Sequence, residues 1–342
     1  MPTKPLVAGT ALLAFAFALS LMPPAFAQQP IALKFASPAP VQSVLHGSFT
    51  AFIDAVNEAA GGTIKVEPFF GASLGNFNVM YDRVVDGVAD FGFILTAQAG
   101  GKFKLHDVAS LPFETEDGVQ GSVALWNLYA KGITAPEYAD VRPVFLFVLA
   151  NGSIFSRTPI KTLEDMKGKK MSAYNIISTR AITALGSAQV GGTPPEAYQA
   201  LSRGLIDATV QTFGGLITFR LHEVTKHQLA LPLTSDPAVV IMSKKRYDAL
   251  PAQGRAAIDK AGGLAMAERM GATVNAANAR GMAVVKETLY SLPAAETIRW
   301  KSAIQPVLDQ WVKETPGGDK ALAAYRGEIR AVKAAVKAPD GK

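Results

Sequence analysis

From residue 31 the chain opens on alternation. In "IALKFAS" the apolar Ile31, Leu33 and Phe35 are separated by smaller or polar residues, the period-two pattern of a strand with one buried face. A Pro-rich turn, "PAPVQ", follows, and the period then changes. In "SVLHGSFTAFIDAVNEAAGG" Leu45, Phe49, Phe52, Ile53 and Val56 fall at helical spacing, and Gly61-Gly62 stops the helix. "TIKVEPFF" reads as a second strand and "NFNVMYDRVVDGV" as a second helix. Strand, helix, strand, helix is the opening of an α/β domain.

A later stretch repeats this opening. Residues 81 to 90, "YDRVVDGVAD", share the frame Y-x5-G-x2-D with residues 198 to 207, "YQALSRGLID", and an apolar strand follows each copy, "FGFIL" and "ATVQTF". In both copies a helix ends at the glycine, which takes the left-handed cap conformation at little cost, and the chain turns directly into a buried strand. The repeat predicts two similarly built α/β lobes. Between the copies "VRPVFLFVLANGSIFS" is a strand long enough to carry the chain from one lobe to the other. "PLTSDPAVVIMS" at 232 to 243 is a strand returning to the first, and two such crossings make a hinge. From Pro251 to Leu289 the pattern is an Ala-rich helix interrupted by Gly262, Gly263, Gly271 and Gly281. At about 1.5 Å per residue it would run roughly 58 Å, along both lobes. An amphipathic segment, "TIRWKSAIQPVLDQWVKET", and a Lys- and Ala-rich tail end the chain. The expected first lobe is residues 28–152 with about 237–280, and the second is 153–236 with about 281–342.

Composition places this framework outside the cytoplasm. Lys4, the apolar "LVAGTALLAFAFALSLM" and the small-x-small "AFA" before Gln28 form a secretory signal peptide over residues 1–27. No later stretch is apolar enough to span a bilayer. With no cysteine in 342 residues there is no lipid-attachment cysteine, disulfide framework or thiolate metal site. The expectation is an exported monomer in the periplasm of a Gram-negative bacterium. The net charge of +6 is scattered, with no basic run beyond "SKKR" at 243 to 246, so nucleic acid is not an expected partner. The acidic "ETED" at 114 to 117 reads as a solvated loop.

Little in the chain suggests catalysis. "GASLG" at 71 to 75 fits the G-x-S-x-G nucleophile elbow, and its strand-turn-helix context would make Ser73 an attacking hydroxyl. Such a hydrolase also needs a downstream acid and histidine and an oxyanion loop of the HGGG type. That loop is absent, and Pro68 is out of place in a central strand. His222 and His227 are five apart, not at the i, i+4 spacing of a zinc pair, and "KGKK" lacks the remainder of a phosphate loop. No cofactor or metal is expected.

The order of motifs carries a family resemblance: "GGTIKVEPFFGASLG", "VVDGVADFGF", "VASLPF", "SRTPIKTLEDMKGKKM", "EAYQALSRGLIDATVQ" and "KKRYDALP". Together they resemble the solute-binding subunits of tripartite ATP-independent periplasmic (TRAP) transporters over nearly the whole chain after the signal peptide. The resemblance implies an α/β, two-lobed periplasmic binding protein fold with hinge strands and a long lobe-spanning helix. It implies a small-molecule solute enclosed between the lobes and integral membrane transporter subunits as partners, with no enzymatic role for the "GASLG" serine. In that family an arginine two residues after the "GKK"-like turn pairs with a solute carboxylate; here the position is Ser172. An asparagine after the second repeat is replaced by Gln211. Ser172, Asn175 and Gln211 are thus the candidate polar face, with Tyr174, Phe213, Leu95 and Phe155 as candidate walls and Asn151 completing the set. Arg180 either replaces the lost charge or lies on a helix surface. Without the arginine a dicarboxylate is disfavoured, leaving a small organic acid held by neutral donors, an aromatic acid or an uncharged polar solute. Two alternatives stand beside the receptor: an exported serine hydrolase using Ser73, and a binding protein or sensor of another transport system.

Overall fold

A computed structural model describes residues 29–337, so the signal-peptide segment lies outside the described residues. The chain begins with β1 (Ile31–Ser37), α1 (His46–Ala59), β2 (Ile64–Phe70), α2 (Met80–Val85) and β3 (Phe91–Leu95). β1 lies between β2 and β3 and is parallel to both. β2 is an edge strand, which accommodates Pro68 because the missing N–H leaves no broken ladder inside the sheet. The helical face read from the sequence is the buried one: Leu45, Phe49, Phe52, Ile53 and Val56 are all buried. They pack into a phenylalanine-rich core, with Phe35 and Phe49 centroids 5.3 Å apart and Phe93 stacked on Phe147 at 5.8 Å. α2 is shorter than the sequence predicted. The Asn76 side chain accepts the Asn78 N–H at 3.1 Å, a local turn that competes with helix until Met80.

After α3 (Gly118–Ala130) the 16-residue β4 (Val141–Ser156) leads to β5 (Lys170–Ser172), α4 (Ile176–Ala184), β6 (Ala188–Gln189), α5 (Ala197–Ser202) and β7 (Ala208–Gln211). β5 lies between β6 and β7, parallel to both, as β1 does in the first half. The Y-x5-G-x2-D frame has matching atoms in the two copies. Gly87 (φ +75°) and Gly204 (φ +68°) donate to Val84 O and Leu201 O, and the next N–H groups, of Val88 and Leu205, reach Arg83 O and Ala200 O at 2.9 Å each. The aspartates then tie down the neighbouring strand. Asp90 accepts the Lys34 N–H at 2.8 Å, and Asp207 accepts the Lys170 N–H at 2.9 Å. The frame's tyrosines differ: Tyr81 is core, whereas Tyr198 reaches out to Glu223.

α6 (Phe213–Thr218) precedes the 17-residue β8 (His227–Ser243), which runs antiparallel to β4 along its length. β3 pairs with the end of β8 and β7 with the end of β4, so one sheet of order β2-β1-β3-β8-β4-β7-β5-β6 passes through both halves. The β4–β8 register breaks between Leu149 and Ile154, at the crossing point of the fold. This is the two-lobed fold with hinge strands that the sequence predicted.

The remaining chain forms α7 (Lys244–Asp248), α8 (Ala252–Ala261), α9 (Gly263–Val284), β9 (Leu289–Tyr290), α10 (Ala294–Glu314) and α11 (Gly318–Lys337). The expected 39-residue helix is therefore broken. At Gly262 a Cβ would stand 2.5 Å from Val144 O of β4, and Gly263 has φ +70°. The 22 residues of α9 still cover roughly 33 Å and touch both halves: Gly271 packs on Gly118 and Val119 of α3, and Gly281 on Phe213 of α6. Two expectations change at the end of the chain. The tail assigned to the second lobe folds in α11 against α3, with the buried Tyr325 hydroxyl 2.7 Å from Thr115. "ETED", expected to be a solvated loop, is what receives it. Glu114 pairs with Arg326 and Glu116 with Lys333, while Asp117 caps α3 and accepts from Asn275 of α9. No described helix is long and apolar enough to cross a membrane.

Candidate functional site

A cavity lies at the crossing point, with about 800 Å³ of unfilled space, part of it open to solvent. Its wall is drawn from every part of the fold. The first half contributes Phe77, Phe93 and Leu95; the crossing strands contribute Leu149, Ala150, Asp236 and Pro237; α9 contributes Val274 and Ala277. The second half supplies Tyr174, Gln211, the first turn of α6 and Phe219. Two hydrogen bonds cross over the cavity from one half to the other, from Gln98 Nε2 to Tyr174 O at 2.9 Å and from Gln42 Nε2 to Thr218 O at 3.4 Å.

The residues singled out from the sequence divide into three groups. Leu95, Tyr174 and Gln211 line the cavity. Ser172 and Asn175 stand behind the wall and position it. The Ser172 hydroxyl lies 2.9 Å from both Tyr174 Oη and Thr209 Oγ1, and the last two are 3.0 Å apart, so three hydroxyls close a triangle behind the wall. Asn175 caps α4, accepting the Ser178 N–H at 2.6 Å, and its Nδ2 donates to Asp236. Phe213, Phe155 and Asn151 lie away from the wall. Phe213 and Phe155 pack on each other with centroids 5.0 Å apart in the second half's core. Asn151 ties the hinge, accepting from Ser235 Oγ at 3.0 Å and donating to Glu116 O at 3.0 Å. Arg180 pairs with Glu314 at 2.7 Å on the helix surface.

Glycine shapes the polar end. Thr212 caps α6 by accepting the Gly215 N–H at 2.9 Å, and the Gln211 side chain folds over that turn, its Oε1 accepting the Thr212 N–H at 2.9 Å. A Cβ at Gly215 would stand 2.5 Å from Gln211 Oε1, so glycine is what leaves the amide its place.

The cavity has no lysine, arginine or histidine among its lining residues. Its one carboxyl, Asp236, is pushed above its ordinary pKa by burial, a shift the Asn175 hydrogen bond partly offsets. Burial also raises the Tyr174 phenol, against the bonds from Ser172 and Thr209. Outside the lining, the Asp107 carboxyl is pushed up to about 7 by burial and by Glu137, with Arg180 acting in the opposite sense. Sequence reasoning missed Asp236, Phe77, Phe93 and Phe219. Asp236 had a visible signal: it is the single acidic residue in the apolar returning strand "PLTSDPAVVIMS".

Ser73 is exposed in the turn after β2 with Ala72 at φ +62°, and has no histidine partner. His46, in the same half of the fold, is engaged by Ser37 Oγ at 3.0 Å and Val41 O at 3.1 Å. His222 and His227 fall in different elements, and no metal-binding cluster occurs among the described residues.

Residues 35–315 match the DctP family, described as bacterial extracellular solute-binding protein, family 7. The chain belongs to that family. It is a periplasmic solute-binding protein of the TRAP type, a receptor and not an enzyme, which removes the hydrolase reading of Ser73. Among its relatives is the C4-dicarboxylate-binding periplasmic protein DctP of Rhodobacter capsulatus, 26% identical over 335 residues, covering 92% of this chain and 95% of the relative. A TRAP solute-binding protein of Rhodoferax ferrireducens with copurified benzoate superposes with a TM-score of 0.84 at 27% identity, covering 90% of this chain and 99% of that one. A marine metagenome TRAP protein specific for aromatic acid ligands, co-crystallised with 3-hydroxybenzoate, has a TM-score of 0.84 at 26% identity, covering 89% of this chain and 99% of that chain.

Proposed function

We propose that this receptor captures a small aromatic solute and presents it to integral membrane subunits of a TRAP transporter. The observation that carries the reading is the cavity wall: Phe77, Phe93, Tyr174 and Phe219 surround a mainly apolar space without a basic side chain. An aromatic ring buries about 150–250 Å² of surface, worth about 4–6 kcal/mol at roughly 25 cal/mol per Å² before the costs of association. A dicarboxylate entering the same space would lose hydration with no cation to receive it. The likeness to receptors that hold benzoate and 3-hydroxybenzoate supports an aromatic ligand.

Closure follows from the wall's two-sided origin. A solute touching both halves binds the closed arrangement better than the open one and shifts the population toward it. The bodies that move are 28–152 with about 237–280, and 153–236 with about 281–317. The final helix travels with the first, as its bonds to Glu114, Thr115 and Glu116 favour. A thermal-shift panel of benzoate, benzamide, benzylamine and succinate tests the reading. At a hundred times its dissociation constant an aromatic ligand adds about 2.7 kcal/mol of stability. A shift with succinate and none with any aromatic compound refutes it. Delivery is tested by uptake into proteoliposomes carrying the membrane subunits.

A further inference from the structure

We infer that Asp236 sets the solute's chemical class: it selects an aromatic compound whose polar group donates hydrogen bonds, an amide or ammonium, over an aromatic carboxylate. This rests on the reading of the cavity as an aromatic-solute site and adds the identity of the head group.

Three observations converge. Asp236 lines the cavity where the crossing strands lose register, opposite Leu149, so the fold places its carboxylate between the two halves and not on a surface. One oxygen, Oδ1, is taken by Asn175. Oδ2 accepts no hydrogen bond among the described residues, which leaves an open acceptor on a residue of the cavity wall. No compensating cation is within reach. Lysine, arginine and histidine are absent from the lining, and Arg180 is engaged by Glu314. A carboxyl with an open acceptor and no neighbouring cation favours a donating head group over a second carboxylate. Gln211 provides the complementary group. Its Oε1 is used by the Thr212 N–H while its Nε2 has no partner, so a carbonyl on the same solute also finds a donor in the wall. The chain thus departs from its structural neighbours, whose ligands include benzoate and 3-hydroxybenzoate.

The test is calorimetric titration of the mature protein with benzylamine, benzamide and benzoate, repeated with Asp236→Asn. The variant keeps an oxygen for Asn175 but removes the charge. Wild type is expected to bind benzylamine and benzamide at least tenfold more tightly than benzoate, and Asp236→Asn to weaken benzylamine at least tenfold while strengthening benzoate. Benzoate binding wild type as tightly as the two donors overturns the inference and leaves the aromatic reading standing. The same holds if Asp236→Asn changes all three by one factor. Failure of all three to bind wild type overturns both. Should the variant not fold, the wild-type ranking alone decides.

Discussion

Gly281 offers a sharp check on how the long helix is coupled to the cavity. It lies in α9 where that helix crosses the start of α6, and a Cβ built there would stand 2.1 Å from Phe213 O and 2.6 Å from Phe213 C. Both are backbone atoms, so no side-chain rotation relieves the clash. Reaching an ordinary 3.4 Å contact requires α6 to retreat by about 1.3 Å. Overpacking of this kind costs up to about 3 kcal/mol, against a gain of about 1 kcal/mol for alanine over glycine inside a helix. Gly281→Ala should therefore destabilise by about 2 kcal/mol. With roughly 2.1 cal/mol/K of unfolding entropy per residue, the melting temperature of a chain this long falls by about 3 °C. Because α6 carries Gly214 and Gly215 into the cavity wall, affinity for the aromatic ligand falls as well. Gly327→Ala is the control. It is the same substitution inside α11 with nothing within 4 Å of the new Cβ, so helix propensity alone acts and the melting temperature rises by about 1 °C. Differential scanning calorimetry of the two variants, with ligand titrations alongside, measures both effects. If Gly281→Ala stabilises as Gly327→Ala does, the close packing of α9 on α6 is refuted.

Three further outcomes follow from the same geometry. Ser172→Arg puts a cation into a buried hydroxyl triangle, which should cost several kcal/mol in thermal unfolding. Added benzoate should recover part of the loss, and an unchanged melting temperature would contradict the assignment of Ser172 as a wall-positioning residue. Asp107 has a folded pKa of about 7 against an ordinary 3.8, so the folded state holds its proton more tightly. The stability that proton confers is full below pH 4 and lost as pH rises through 7, by up to about 4 kcal/mol at 1.36 kcal/mol per unit. Asp107→Asn should flatten that pH dependence in urea titrations between pH 5 and 8, and parallel curves for the two proteins would refute the shift. Ser73→Ala, at an exposed turn, should change stability by less than about 0.5 kcal/mol, and a fluorophosphonate probe should label neither protein there.

Much of this fold is written in local patterns. The period-two run at 31–37, the helical face of Phe49, Phe52 and Val56, and the glycine stop at Gly61-Gly62 each depend on neighbours a few residues away, and each element formed with its apolar side buried. The repeated Gly and Asp of the two frames are local in the same sense: a left-handed cap followed by a carboxylate on the adjacent strand. The motif order was enough for the family. The cavity wall was not legible in this way. Phe93 and Phe155 are both apolar strand residues, yet one lines the site and the other is core, because periodicity reports that a side chain leaves water and not what it meets. Asp236 acquires its role from Asn175, sixty-one residues earlier in the chain, and "ETED" becomes a clamp because α11, more than two hundred residues later, returns to it. Pairings at such distances depend on chain topology. The sequence by itself determined most of the elements, their duplication and the family. Only the tertiary structure decided which side chains face the solute, since those contacts join segments whose local sequences do not refer to one another.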